Sequence, residues 1–219
     1  MPTLAILPVK SFAAAKQRLA DELESGPRRA LAEAMFSDVL LALHRAHAVD
    51  EILVVTSDHG AQRIAGGHGA TVLDDEERGH NVAATLGIRA ALAQHFDRAL
   101  LVPGDCPLLD PLELGELLGR PAGAPSALIV PDRHGTGTNA LLLTPPNSLA
   151  PAFGPGSCRR HAGAAESQGT QHDVVELASL AIDIDTPDDL LALQTALATI
   201  HGRAAHTRGM LSQLMRSRA

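Results

Sequence analysis

Short apolar runs of strand length alternate with stretches of helical periodicity, and this alternation limits the fold more than any other feature of the chain. Residues 3–7 (TLAIL), 51–56 (EILVVT), 70–73 (ATVL) and 98–103 (RALLVP) read as strands. Helices are expected over 26–47, briefly after 57–60, over 81–95 and over 110–119. Strands separated by helices pair in parallel through crossovers rather than as hairpins. The second half places strand candidates at 126–131, 139–143, 172–177 and 179–184, with helices expected only over 157–167 and 187–200. That crowding calls for a mixed sheet. The expected fold class is α/β, a three-layer α/β/α sandwich on a mostly parallel mixed sheet. One domain is expected over 1–200, followed by a basic tail at 201–219 with four arginines and no acid, read as a surface helix or a partly disordered, solvated end.

Of 18 basic residues only two are lysines, Lys10 and Lys16, and both fall in PVKSFAAAKQRL, directly after the first strand. Either an Arg-biased chain kept two lysines by accident, or an ammonium point charge is wanted there, as in phosphate-binding loops. Arg18 adds a third cation or is a surface arginine. The loop is neither G-x-G-x-x-G nor a Walker A sequence.

Ligands of open α/β sheets bind beyond the carboxyl ends of strands, so the other loops in that position carry the chemistry. LLVPGDCPLLD sends a strand straight into Gly104-Asp105, and the Asp105 carboxylate suits Mg²⁺, a hard ion that prefers oxygen. AIDIDTPDDL offers Asp183 and Asp185 on one face of an expected strand, as metal ligands or as exposed edge charges. Asp188 and Asp189 suit the following helix N-terminus. In DDEERGHNVAAT, Asn81 follows Gly79 and either caps a helix or reads a base edge. HGTGTNAL and FGPGSCRRH are Gly-rich turns with hydroxyls, flexible connectors or cradles for a phosphate or carboxylate.

Composition removes competing classes. The formal net charge is −7 and aromatics are 2%, which excludes a polybasic nucleic-acid binder and an aromatic stacking platform. Two cysteines make no disulfide framework. No apolar run approaches the ~20 residues of a membrane span, and the first residues do not read as a signal peptide. A soluble, cytoplasmic protein is expected. The eleven histidines are scattered, with no H-E-x-x-H, and no G-x-S-x-G elbow is present.

Pro8-Val9-Lys10, then Ala15-Lys16-Gln17-Arg18-Leu19, Gly104-Asp105-Cys106-Pro107-Leu108, Phe153-Gly154-Pro155-Gly156-Ser157 and Asp183-x-Asp185-Thr186-Pro187-x-Asp189-Leu190 together resemble the CofC/FbiD guanylyltransferases of coenzyme F(420) biosynthesis. The resemblance extends to about residue 200; it departs at His80, where the family often has Leu, and at Gln17, where it has Ser. It implies a Rossmann-like, GT-A-like nucleotidyltransferase fold and a reaction between GTP and a small phosphorylated acid (2-phospho-L-lactate, phosphoenolpyruvate or 3-phospho-D-glycerate) that releases pyrophosphate. By that resemblance Lys10, Lys16 and Arg18 hold phosphates in catalysis, with Gly79 and Asn81 completing the nucleotide site. Asp105 and Asp185 bind Mg²⁺, and Thr138, Gly154 and Ser157 hold the acceptor. It implies no nucleic-acid or membrane partner and is compatible with a homodimer. Other nucleotidyltransferases of the molybdenum-cofactor or cytidylyltransferase type, sugar-nucleotide-dependent glycosyltransferases and a catalytically dead nucleotide-binding regulator share these general features.

Overall fold

The computed structural model describes residues 1–75, 78–121 and 123–218. Seven strands form one sheet: β1 (Thr3–Pro8), β2 (Glu51–Val55), β3 (Thr71–Leu73), β4 (Arg98–Leu101), β5 (Ser126–Pro131), β6 (Thr138–Thr144) and β7 (Gln171–Val174). Their order is β3-β2-β1-β4-β6-β5-β7. β1, β2, β3 and β4 are parallel, β6 runs antiparallel to β4 and β5, and β7 is parallel to β5. One reversed strand makes the sheet mixed, as the crowded second half implies.

The strands separate two apolar layers by their period of two. Ala5 and Leu7 of β1 face α1 (Ser25–Arg45), α2 (His59–Gly67) and α4 (Pro111–Leu118), while Leu4 and Ile6 face α3 (His80–Ala93) and α5 (Ser157–Gln168). The sandwich is therefore three-layered. Gly87 lets α3 approach β1: a Cβ there would lie 2.3 Å from Ile6 Cγ2.

A third apolar cluster gathers Leu19, Met35, Leu108, Ile184, Leu193 and Leu211 around α6 (Pro187–Thr199) and α7 (Ala205–Arg218). The tail is a helix, one of the two forms expected for it, and only the reading of its charge as merely solvated is corrected. Asp38 of α1, almost fully buried, accepts from the backbone N–H of His206 and Thr207, and Arg208 donates to the Leu197 and Ile200 carbonyls at the end of α6. Those carbonyls lack intrahelical partners, so the tail's charge is used as a helix cap.

The expected strand at 179–184 is also corrected. Residues 178–180 form a 3-10 turn, and Leu180 and Ile184 drop into different apolar clusters. Asn139 of β6 and Arg133 take the Leu180 and Ala181 carbonyls, so this segment joins no ladder. No helix among the described residues is long and apolar enough to cross a membrane.

Candidate active site

β1 lies between β2 and β4, so chain connections leave it in opposite directions and a crevice opens at the carboxyl ends of β1 and β4. A cavity of about 810 Å³ occupies it, lined by Lys10, Lys16 and Arg18, by Asp105, Asp183 and Asp185, and by Thr138, Gly154 and Ser157. A smaller one of about 200 Å³, bordered by Lys10, Ser11, Ser57, Asp75, Gly79 and His80, adjoins it across Lys10 and His80.

The loop after β1 is pinned at both ends. Phe12 packs tilted against Phe36 with ring centroids 5.7 Å apart, and Leu19 is fully buried in the third cluster. Asp58 caps α2 by accepting from Ala61 N and, with its other oxygen, accepts from Phe12 N and Ser11 Oγ. Burial alone would raise the Asp58 pKa; these hydrogen bonds outweigh it and hold the carboxyl below its usual range. Sequence reasoning missed this clamp, although the helix-cap position of Asp58 was a signal for half of it.

Lys16, in the left-handed region at φ 55°, turns its side chain inward. Its ammonium pairs with Asp105 and lies 3.2 Å from Asp185 Oδ1. Burial would depress its pKa, but the two carboxylates overcome that and raise it well above normal. Lys10 and Arg18 remain exposed at the crevice mouth. All three cations expected from the sequence therefore reach one cavity, with only Lys16 embedded in carboxylates.

Asp183 and Asp185 share the cavity although they do not lie on a strand. Asp183 accepts from Asn139 Nδ2 at 3.2 Å, and its pKa is pushed up to about 6, first by burial and then by the Asp105 and Asp185 charges. Asp189 forms a capping box with Thr186, accepts from Asp185 N and pairs with Arg133 at 2.7 Å, so it shapes the turn that presents Asp185. Asp188 is exposed. Three carboxylates lining one cavity, one of them pushed toward protonation by burial and then by its neighbours' charges, are oxygen donors of the kind a hard divalent cation accepts. As arranged, no group of three acidic, His or Cys side chains among the described residues is already gathered to ligand spacing. The Lys16 ammonium contacts both Asp105 and Asp185.

Asp132, which also lines the cavity, orders the turn between β5 and β6 by accepting from the backbone N–H of His134, Thr136 and Gly137. Those bonds hold its carboxyl below the usual range against the opposing effect of burial. The FGPGS turn passes through Gly154 at φ 119° and Gly156 at φ 71°, conformations that favour glycine, and delivers buried Ser157 as the first residue of α5. Arg160 spends its guanidinium on the Ala152 and Pro155 carbonyls inside this turn, and so is not a free charge for the acceptor. Cys106 is fully buried and its thiol pKa is raised by that burial, so it is inert.

Gly79 is the N-cap of α3 and borders the small cavity. The N-cap of α3 is Gly79 rather than Asn81, whose amide exchanges two hydrogen bonds with the Phe153 backbone and which borders neither of these two cavities. His80 borders both and packs edge-on against Phe153 at 5.2 Å. Asp75, which the sequence reading passed over inside an acidic loop, is buried beside the small cavity.

The family described as guanylyl transferase CofC like matches residues 3–217. A phosphoenolpyruvate guanylyltransferase of Conexibacter woesei is 53% identical over 99% of this chain and 98% of its own. A 3-phospho-D-glycerate guanylyltransferase of Colwellia psychrerythraea is 37% identical over 91% and 95%, respectively. A 2-phospho-L-lactate guanylyltransferase of Methanothermobacter thermautotrophicus is 33% identical over 98% and 92%. In fold, the chain superposes on the crystal structure of a nucleotide-diphospho-sugar transferase from Desulfovibrio desulfuricans with a TM-score of 0.79, at 16% identity over 97% of this chain and 95% of that one. The loop of cations, the three carboxylates and the glycine turn thus belong to a nucleotidyltransferase enzyme, and the chain is a member of the CofC-like guanylyltransferase family.

Proposed function

We propose that this enzyme transfers GMP from GTP to the phosphate of a small phosphorylated carboxylic acid, a step in making coenzyme F(420). The observation that carries the reading is that one cavity is lined by three cations, by the carboxylates of Asp105, Asp183 and Asp185, and by a glycine turn with a hydroxyl. Phosphates of GTP lie along Lys10, Lys16 and Arg18. Guanine enters the small cavity, which Asp75 borders. The acceptor lies against Thr138, Gly154 and Ser157, with its phosphate toward the middle of the crevice.

An acceptor phosphate oxygen attacks the α-phosphorus of GTP, and the bond to pyrophosphate breaks. The nucleophile is already an anion, so no general base is required. The chain's contribution is to align two anions that repel and to neutralise charge on the leaving group. Lys16 is placed to exchange its carboxylate partners for phosphate oxygens as GTP enters. Asp105 and Asp185, with Asp183 beside them, would hold Mg²⁺, which supplies further charge neutralisation at the transferring phosphate.

The test is pyrophosphate release from GTP and Mg²⁺ with phosphoenolpyruvate, 3-phospho-D-glycerate and 2-phospho-L-lactate supplied in turn. One acid should support turnover with GTP, and Asp105→Asn should abolish it while keeping the folded structure. Release with no acid of the panel, or undiminished release by Asp105→Asn at limiting Mg²⁺, refutes the reading.

A further inference from the structure

His161 of α5 is fully buried and links Thr138 of β6 to the backbone just before the FGPGS turn. Its Nε2 lies 2.9 Å from Ala152 N, and its Nδ1 lies 3.0 Å from Thr138 Oγ1. These two contacts fix the tautomer. A backbone N–H can only donate, so Nε2 accepts and carries no proton. A neutral imidazole has one ring proton, which must then sit on Nδ1 and be donated to Thr138 Oγ1. The opposite arrangement, with Thr138 donating to a bare Nδ1, would set an Nε2–H against the Ala152 N–H. Burial first, and Arg160 second, push the imidazole pKa down to about 4, which keeps the ring singly protonated. Phe153 packs edge-on against the ring at 5.2 Å and holds its plane.

The consequence falls on Thr138, which borders the crevice. A hydroxyl that already accepts from the imidazole has its own proton left to give. We infer that His161 is a positioning residue: by donating through Nδ1 to Thr138 Oγ1, it commits the Thr138 hydroxyl to donate into the crevice, toward the anionic acceptor. This rests on the placement of the acceptor under Proposed function. It adds a residue that touches no substrate yet sets the polarity of a group that does.

Nitrogen-15 NMR of the nucleotide-free enzyme reads the tautomer directly. His161 should show a protonated Nδ1 and a bare Nε2 at pH 7; a protonated Nε2 overturns the inference. This result does not depend on what the enzyme acts on, so it separates failure here from failure of the guanylyltransferase reading. Binding and kinetics with phosphoenolpyruvate supply the second arm. His161→Leu should raise the KM for the acid roughly ten- to a hundred-fold while leaving the KM for GTP nearly unchanged, the scale of one hydrogen bond to a charged group. His161→Asn, whose amide places an N–H near the lost Nδ1, should recover most of it. In a Thr138→Val background, His161→Leu should add less than about two-fold, because the residues act as one unit. If instead the two substitutions multiply, or GTP is affected as strongly as the acid, His161 supports only the fold. Where His161→Leu does not fold, Thr138→Val and the NMR measurement decide: an unchanged KM for the acid in Thr138→Val overturns the inference.

Discussion

Asn81 holds Phe153 by both ends of one residue: Asn81 Nδ2 donates to the Phe153 carbonyl at 3.2 Å, and Phe153 N donates to Asn81 Oδ1 at 2.7 Å. The residues are 72 apart in sequence, and the bond ties the first turn of α3 to the acceptor turn. Asn81→Ala should therefore loosen the acceptor site rather than change base choice. The expected result is a KM for the acid raised by roughly three- to ten-fold, as for one or two ordinary hydrogen bonds, with the preference for GTP over CTP intact. Kinetics with each substrate varied in turn check it; a collapsed GTP preference with an unchanged acid KM would make the amide a base reader after all.

Lys16 pairs with Asp105 and lies 3.2 Å from Asp185, the two carboxylates proposed to hold Mg²⁺. Lys16→Ala should weaken GTP binding by about ten-fold or more, since a charge-assisted contact is lost. The same substitution should tighten Mn²⁺ binding to the nucleotide-free enzyme, because an internal competitor for the carboxylates is gone. Titration of free Mn²⁺ by electron paramagnetic resonance distinguishes the two effects. Weaker Mn²⁺ binding would show that the ammonium organises the carboxylates rather than competing for them.

Asp75 presents a buried carboxylate beside the small cavity. Guanine offers donors on the edge such a group would meet, whereas xanthine has a carbonyl in place of the exocyclic amine. Asp75→Asn replaces one acceptor oxygen by a donor, so kcat/KM for GTP should fall roughly ten- to a hundred-fold and that for XTP should rise. Parallel falls for both nucleotides would assign Asp75 to loop structure.

His161 carries a pH dependence whose sign is fixed by its depressed pKa of about 4. The unfolded chain protonates this histidine near 6.5 while the native one resists, so the unfolded state binds more protons between those values. Stability should be fully present above pH 6.5 and decline as the pH falls toward 4, by on the order of 2 kcal/mol from this group. Urea titrations of the enzyme and of His161→Asn across that window check it. An identical decline in both proteins would place the effect elsewhere.

The alternation of apolar runs determined the layered α/β class, and the crowding after residue 126 determined that the sheet is mixed, because strand periodicity and connection length are local properties. The clustering of Lys10 and Lys16 and the strand-end position of Asp105 were legible for the same reason: a loop at the carboxyl end of a parallel strand opens on the crevice whatever packs around it. Periodicity misled at 179–184, where Leu180 and Ile184 alternate like a strand yet enter two different clusters; at 201–219 a helix was among the expectations, but composition did not show that Arg208 and Leu211 serve α6 and the third cluster. Asp58, Asp132, Asn81 and His161 were not legible as what they are. Each acts through hydrogen bonds whose direction depends on which backbone groups arrive beside it, and Lys16 meets Asp185 only across 169 residues of chain. A residue's capacity to donate or accept is written in its type, but which capacity remains for a substrate is decided only after the folded backbone has taken its share.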